Sequence, residues 1–245
     1  GTVWIGYAEY YVSHAPRVVS LSGGEYSNHA PANLSVGEGR NFRMTVDGTG
    51  VPYVYFSDVG DSGKNFAKKY ENGSWSVVGS SSMPTVTDVY GMYATNGSLY
   101  VSTATNSAGN VWRGDAAGWT CLSDGKLGQK GDLVMLGGVP YVLSDVDATL
   151  RRALGGVWED VAASPFASTN ASYTAPNNPH LQLDGETPVV VYGQQIDSSV
   201  ARWIVVRKWD GTGWVEPATR LLSYAWYGDQ ANMAMKLLGF GEMVT

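Results

Sequence analysis

The sequence has little charge, a single cysteine and no long apolar run. Lys, Arg, Asp and Glu make up 16% of the 245 residues, against about 25% in ordinary soluble domains. The formal net charge is -6, which excludes a nucleic-acid platform because phosphate binding needs a clustered positive surface. One Cys excludes a disulfide scaffold and a metal site built from several cysteines. No run of about eighteen apolar residues occurs, so we expect no membrane insertion.

Glycine and aromatic residues are abundant, and they recur together. A Gly-rich turn that closes on an aromatic residue occurs five times, ending at Tyr26, Trp75, Trp119, Trp158 and Trp214. Five turns in 245 residues give a mean period of 49, and the sequence between them alternates apolar and polar residues. This period with two-residue alternation predicts the blades of a β-propeller. We expect the four Trp residues to lie in the core.

Each repeat contains four short predicted strands, which we call a, b, c and d. Strand b begins at 51–54, 98–101, 139–142 and 187–190, each time after a turn that contains Gly. The sequence therefore predicts an all-β fold, a five-bladed β-propeller of four-stranded antiparallel blades. The predicted single domain spans 1–245, with blades at approximately 231–239 with 1–35, 40–82, 88–126, 131–163 and 179–222.

The two ends of the chain complement each other. Residues 2–8, 17–21 and 26–28 supply strands b, c and d of a blade, and residues 231–238 supply a strand a. We expect the C-terminal strand to join the N-terminal blade, which closes the ring and protects its edge. The alternative for 241–245 is a further strand b, in which case the chain is part of a longer array.

Two stretches carry a family resemblance. Residues 57–81, SDVGDSGKNFAKKYENGSWSVVGSS, resemble the repeats of bacterial secreted propeller-repeat proteins, with an SD pair, a Lys-Tyr strand and a Gly-Ser-Trp turn. Residues 95–119, TNGSLYVSTATNSAGNVWRGDAAGW, and the five-blade count are similar to the tachylectin-2 type of lectin. The resemblance implies the propeller fold, sugar binding and an extracellular or cell-surface location, but it assigns no individual site residue.

The predicted connections separate into two faces. The a–b and c–d turns are short Asn, Asp and Gly turns, such as DGTG at 47–50, and leave little room for a ligand. The b–c and d–a connections, among them the predicted b–c loop at 103–110, are longer and richer in aromatic and polar residues. We call their side the long-loop face and expect the site there, because binding residues concentrate in long loops on a rigid scaffold.

A carbohydrate site needs rings that stack on the sugar and polar groups that bind its hydroxyls. The candidates of this kind are Tyr224, Trp226, Tyr227, Asp229, Gln230, Tyr10, Tyr11, Tyr173, Asn177 and Asn178. Packing of alternate rings between two blades is the open alternative for residues 224–227.

Three further sets of residues have a pattern with an alternative explanation. A basic residue stands six positions before each of the four Trp residues: Lys69, Arg113, Arg152 and Lys208. These residues could form an anion-binding ring, but we favour a solvated row on strand c. Four loop carboxylates are candidate Ca²⁺ ligands or caps of their own turns: Asp58, Asp61, Asp145 and Asp147. The inner strands offer Arg43, Gln182 and Lys236, with Asp88 and Asp132 at strand beginnings.

These patterns predict a binding module that is not an enzyme and has no cofactor. No inward trio of carboxylates is visible, the residues His14, His29 and His180 fall in predicted loops, and Cys121 is expected to be buried. The leading hypothesis is non-catalytic carbohydrate binding, with glycans or a surface protein as partners. The alternatives are a protein-interaction or adhesion scaffold of a bacterial surface protein and a glycoside hydrolase-type propeller enzyme.

Overall fold

The computed structural model describes residues 2–8, 15–29, 34–79, 81–84, 88–105, 108–122, 131–144, 148–161, 166–167, 177–195, 202–216 and 221–223. Over these residues the chain forms twenty strands and one 3-10 turn, Val59–Asp61. None of the described residues belongs to a helix long and apolar enough to cross a bilayer.

The strands form five antiparallel sheets, which we number as blades one to five. Blade one contains β1 (Val3–Ala8), β2 (Pro16–Ser22) and β3 (Glu25–Asn28). Blade two contains β4 (Gly39–Val46), β5 (Pro52–Asp58), β6 (Lys64–Glu71) and β7 (Ser74–Val77). Blade three contains β8 (Asp88–Thr95), β9 (Ser98–Thr105), β10 (Ala108–Asp115) and β11 (Gly118–Cys121). Blade four contains β12 (Leu133–Leu136), β13 (Val139–Ser144), β14 (Thr149–Leu154) and β15 (Val157–Asp160). Blade five contains β16 (Asn177–Asp184), β17 (Thr187–Gln195), β18 (Arg202–Trp209), β19 (Trp214–Val215) and β20 (Leu221–Ser223).

Within each blade the strands pair in chain order, as expected for strands a to d joined by tight turns. Blade one has only three strands among the described residues, and β20 pairs with β18 beside the main order of blade five. The all-β, five-bladed propeller fold predicted from the repeat is therefore confirmed. The predicted closing strand, 231–238, lies outside the described residues, and closure stays a prediction.

The tight turns follow from their sequence. The motif DGTG occurs at 47–50 and at 210–213, and both copies use the Asp carboxylate in the same way. Asp47 Oδ1 accepts hydrogen bonds from Thr49 N at 2.9 Å and Val51 N at 3.0 Å. Asp210 Oδ1 accepts from Thr212 N and Gly213 N, both at 2.8 Å, and these bonds lower the pKa of Asp210. The turns are thus held by their own side chains.

The chain divides into two compact units, one of residues 1–105 with 111–122 and the other of residues 106–110 with 123–245. The first unit holds two apolar clusters between successive blades. Blades one and two enclose Val18, Leu34, Val54 and Phe56, and blades two and three enclose a larger cluster that includes Tyr53, Tyr55, Met83, Leu99 and Val101. The predicted organisation of 1–245 as one domain stays a prediction.

Three of the four repeated Trp residues pack against buried apolar residues, which places them at the margin of the core. Trp75 packs against the cluster shared with blade one, and Trp119 against the cluster shared with blade two. Trp214 meets Phe166, a residue of the d–a connection, at a ring-centroid distance of 6.1 Å. Each of these rings is half-buried, because strand d forms the outer edge of its blade.

Two expectations about the third blade are wrong. The predicted loop at 103–110 is mostly strand, since β9 extends to Thr105 and β10 begins at Ala108. Cys121 is exposed, not buried. It is the last residue of β11, which forms the outer edge of its blade.

Candidate functional site

Most of the residues predicted to bind a sugar lie outside the described part of the chain. These are Tyr10, Tyr11, Tyr173, Tyr224, Trp226, Tyr227, Asp229 and Gln230. The same holds for Asp145 and Asp147 among the predicted metal ligands. Asn177 and Asn178 are described, and they open strand β16 on the side of the d–a connection, which is the predicted long-loop face.

Asp58 is a buried carboxylate that joins two loops of the long-loop face. Its residue is only 2% exposed. Its oxygens accept backbone hydrogen bonds from Val36 N at 2.6 Å, Gly37 N at 3.1 Å and Gly60 N at 3.0 Å. The first two donors belong to the connection between blades one and two, and the third belongs to the b–c loop. Charge-assisted bonds of this kind are strong, so Asp58 fixes both loops.

The other described metal candidate is in a different environment. Asp61 is partly exposed and forms an ion pair with Lys64 at 2.8 Å. In the segments that the structure describes, no three His, Cys, Asp or Glu side chains come close enough to share a metal ion. The geometry thus gives Asp58 a role in loop structure, while Ca²⁺ binding by this set has only the sequence pattern in its favour.

Strand a has a β-bulge at its long-loop end in three blades. The register with strand b shifts between Arg40 and Arg43 in β4, and between Val89 and Gly91 in β8. It also shifts between Asn177 and His180 in β16. In β8 the buried Ser102 hydroxyl accepts a hydrogen bond from Gly91 N at 2.8 Å and so stabilises the bulge. Bulges re-aim side chains and are over-represented beside active sites.

The bulges of blades two and three lie beside a small polar cluster in the first unit. Arg43 pairs directly with Tyr55 across strands β4 and β5, so the two side chains are neighbours on one face of the sheet. Burial raises the pKa of Tyr55 to about 12; the neighbouring Ser57 hydroxyl and the charge of Arg43 act against this shift, and the charge of Asp88 acts with it. The Tyr55 hydroxyl therefore lies near both charges and is neutral at physiological pH.

A second polar pair occurs in the other unit. His180 Nδ1 lies 3.5 Å from Asp132 Oδ2, and the same oxygen accepts a hydrogen bond from Leu181 N at 3.0 Å. Asp132 Oδ1 accepts from Leu133 N at 2.9 Å, which fixes the carboxylate between the inner strands of blades four and five. The prediction that His180 falls in a loop is wrong, because the bulged strand β16 begins three residues earlier.

Blades one and two enclose an aromatic cluster that no pattern in the sequence predicts. The His29 ring lies 4.8 Å from the ring centroids of both Trp4 and Tyr70, and Tyr70 lies 5.3 Å from Trp75. His29 Nε2 is 2.7 Å from Ser20 Oγ, and burial lowers the pKa of His29. No regular spacing links residues 4, 29 and 70, so only the interblade packing brings them together.

Each basic residue that stands six positions before a repeated Trp forms an ion pair with a carboxylate. Lys69 pairs with Glu71 at 2.8 Å, Arg113 with Asp115 at 3.1 Å. Arg152 pairs with Glu159 and Lys208 with Asp184, both at 2.6 Å. This arrangement supports a partly solvated row on strand c over an anion-binding ring.

Comparison with known proteins gives matches at the level of structure only. No family model matches the sequence, and no curated protein matches it. AofleA from Arthrobotrys oligospora superposes with a TM-score of 0.52 at 13% identity, over 91% of this chain and 69% of AofleA. A PL25 ulvan lyase bound to -[GlcA(1-4)Rha3S]- superposes with a TM-score of 0.54 at 12% identity, over 88% of this chain and 68% of the lyase. The shared feature is the propeller fold.

The expectation that the chain is not an enzyme is wrong. Structures that share its fold include an enzyme, the ulvan lyase, both with and without its bound saccharide. Loops carry the site residues and vary independently of the blades, so one fold supports both binding and catalytic sites. At 12–13% identity this likeness transfers no catalytic residue to the chain.

Proposed function

We propose that the chain binds carbohydrate at its long-loop face. The observation that carries the proposal is the set of bulges at one end of strand a in blades two, three and five. Bulges at equivalent positions re-aim side chains, and we expect them to present the polar residues at the start of each inner strand at the long-loop end of its own blade. Asn177 and Asn178 lie at the bulge of β16, and Asp88 opens β8.

The fold supports the same class of ligand. The ulvan lyase that shares the fold binds and cleaves a polysaccharide. Sugar binding is a step common to lectins and polysaccharide-cleaving enzymes, so the proposal covers either fate of the ligand. The tachylectin-2 resemblance and an extracellular or cell-surface location belong to this proposal. The aromatic residues 224–227 would supply the stacking surface.

The test is a glycan array read together with product analysis. We expect the purified chain to bind at least one glycan class, and incubation with that glycan followed by chromatography decides whether it is cleaved. Trp226→Ala should weaken binding at least about tenfold, since stacked rings dominate such sites. Trp158→Phe, a change at a repeated core position, serves as the control with an altered ring away from the site.

Two results would count against the proposal. One is that the chain binds no glycan on the array although its circular dichroism shows a folded β protein. The other is capture of a protein partner by the same face without any glycan. That second result favours the adhesion-scaffold alternative.

A further inference from the structure

We propose that Arg43 and Tyr55 form a subsite for the oxyanion of an acidic sugar residue, a carboxylate or a sulfate. The subsite lies in the first unit, beside the inner strands of blades two and three. The inference rests on the proposed carbohydrate function and names the class of sugar that is bound.

Arg43 differs from most other cations of the protein. Eight of the described Lys and Arg residues form an ion pair with Asp or Glu: Arg40, Lys64, Lys69, Arg113, Arg151, Arg152, Arg207 and Lys208. Arg43 is exposed, and its guanidinium donates only to the Phe42 carbonyl, over 3.4 Å, within the described part of the chain. A guanidinium fork is well matched to a carboxylate or sulfate, and this one is available.

Tyr55 supplies a second donor. The residue is fully buried, and its hydroxyl has no hydrogen-bond partner among the described residues. Ser57 lies beside it but donates its own proton to Asn65 Oδ1 at 2.7 Å. A buried hydroxyl without a partner costs free energy, so its retention needs a reason. A ligand oxygen at Arg43 provides one.

The strand register places the two groups together. Arg43 and Tyr55 are direct cross-strand partners, so their side chains are neighbours on one face of the sheet. Since the guanidinium makes only one long hydrogen bond among the described residues, its movement toward a ligand costs little, and the proposal requires that this movement opens access to the Tyr55 hydroxyl. The raised pKa of Tyr55, about 12, keeps the hydroxyl protonated, so it donates to an anion at neutral pH.

The same place offers acceptors for the sugar hydroxyls. Asp88 is exposed at the start of β8, and within the described ranges its Oδ2 accepts only a long bond, 3.5 Å, from the Tyr90 hydroxyl. A cation for the acid group and a carboxylate for the hydroxyls together match a uronic acid or a sulfated sugar. The Arg43 cation alone would bind any anion, and the Asp88 carboxylate alone would bind any sugar hydroxyl.

The net charge of -6 limits the ligand and does not exclude it. An acidic surface repels a dense polyanion at long range, but screening reduces that effect beyond about 8 Å at physiological salt. A single acid group that meets Arg43 at contact distance is recognised by short-range hydrogen bonds. The subsite therefore fits an oligosaccharide with one acid group at the bound residue.

The experiment compares acidic oligosaccharides with their neutral counterparts. The probes are tetragalacturonate, an alginate tetrasaccharide and a hyaluronan tetrasaccharide, each beside the same compound with its carboxyls reduced to alcohols. A sulfated galactan tetrasaccharide and its desulfated form make the second arm. We expect calorimetric titration to show that at least one acidic probe binds about tenfold or more tightly than its neutral form.

Two variants and a matched control assign the difference to the subsite. Arg43→Gln should weaken the acidic probe about 10- to 100-fold and leave the neutral probe unchanged. Tyr55→Phe should weaken the acidic probe without lowering the unfolding midpoint, because it removes a hydroxyl that has no hydrogen-bond partner in the described segments. Arg40→Gln removes the same charge from the same strand, but that cation is already paired with Glu38, so affinity should not change.

The outcomes separate this inference from the proposed function. Equal binding of acidic and neutral probes overturns the subsite while carbohydrate binding stands. Equal losses in Arg40→Gln and Arg43→Gln, or a lower unfolding midpoint in Tyr55→Phe, also overturn it. If no glycan binds the parent chain, the proposed function and the subsite fail together. Arg43-dependent binding in the sulfated arm alone identifies the oxyanion as sulfate.

Discussion

At the scale of single residues, Asp58 is the clearest case of a side chain that holds loops in place. Asp58→Asn removes the charge that three backbone N–H groups share, and leaves one of them facing an amide NH₂. We expect a loss of about 2–3 kcal/mol in the free energy of unfolding, measured by urea denaturation. Asp61→Asn is the matched control in the same loop. Its exposed pair with Lys64 should contribute less than about 1 kcal/mol.

The two variants also bear on the predicted Ca²⁺ site. A rise of the parent's unfolding temperature in Ca²⁺ that Asp61→Asn abolishes would restore a metal role for this loop. Equal stability of Asp58→Asn and the parent would contradict the loop-joining role of the buried carboxylate.

Gly79 is a position where both backbone and packing require glycine. Its φ is +79°, and a Cβ there would collide with the Trp119 indole. Gly79→Ala should therefore cost more than the about 1–2 kcal/mol of the left-handed conformation alone. Gly97→Ala is the control, since its φ is +75° and nothing lies within 4 Å of its Cβ. Chemical unfolding with Trp fluorescence measures both. Equal losses of unfolding free energy in Gly79→Ala and Gly97→Ala would mean that the Trp119 indole moves aside at little cost.

Tyr53 and Tyr55 make stability sensitive to alkaline pH. Burial raises the pKa of each to about 12, above the value of about 10 in the unfolded chain. The stability that each protonated hydroxyl contributes is complete below pH 10 and is lost as pH rises through 12. At pH 11 the loss is on the order of 1 kcal/mol for each ring. Tyr55→Phe should flatten the pH profile of unfolding by that amount, while Tyr26→Phe, at a ring that is 71% exposed, should not. Parallel profiles for Tyr55→Phe and the parent would contradict this.

How far sequence predicts a residue's role depends on what determines that role. The turn Asp residues and the repeated Trp residues were predictable, because local hydrogen bonds and a fixed period define them. The Arg43–Tyr55 pairing and the His29 cluster were not. They depend on strand register and on interblade packing, which bring together residues 12 to 66 positions apart.

At the scale of elements, the strands followed closely from two local signals. Two-residue alternation marked their bodies, and Gly and Asn at positive φ marked their turns, as at Asn72, Gly73, Asn96 and Gly97. The bulges of strand a escaped prediction because a single extra residue leaves the alternation almost intact. The strand ends at 103–110 escaped it because Asn, Ser and Gly are typical of loops, whereas β9 extends to Thr105 and β10 begins at Ala108.

The basic row on strand c gives a prediction at this scale. Because these cations are paired and partly solvated, replacing Lys69, Arg113, Arg152 and Lys208 by Gln one at a time should cost at most about 1 kcal/mol each. The combined variant should bind an acidic oligosaccharide as the parent does, in contrast to Arg43→Gln. Titration of both variants with the same probe makes the comparison, and a comparable loss of affinity in the combined variant would restore the anion-ring hypothesis.

At the scale of the whole molecule, the first blade raises the question of how the fold is completed. Its three described strands leave β1 as an edge, and β1 exposes Val3, Ile5 and Tyr7 by 55%, 40% and 44%. An edge of this kind favours association with other chains unless a further strand covers it. Residues 231–238 alternate Met233, Met235 and Leu237 with smaller or polar residues, and we still predict that they form that strand.

A pair of truncations tests the closing strand. A chain that ends at Gln230 keeps the predicted aromatic loop but loses 231–238, and its free energy of unfolding should fall by roughly 5 kcal/mol, since each buried large apolar side chain contributes about 1.5–3 kcal/mol. It should also associate in size-exclusion chromatography through the uncovered edge of β1.

A chain that ends at Phe240 keeps 231–238 and removes only 241–245, so its stability should match that of the parent if 241–245 is a tail. Equal stability of the Gln230 truncation and the parent would mean that 231–238 does not complete the first blade. A loss on removing 241–245 alone would instead favour a further strand b, and with it a longer array of blades.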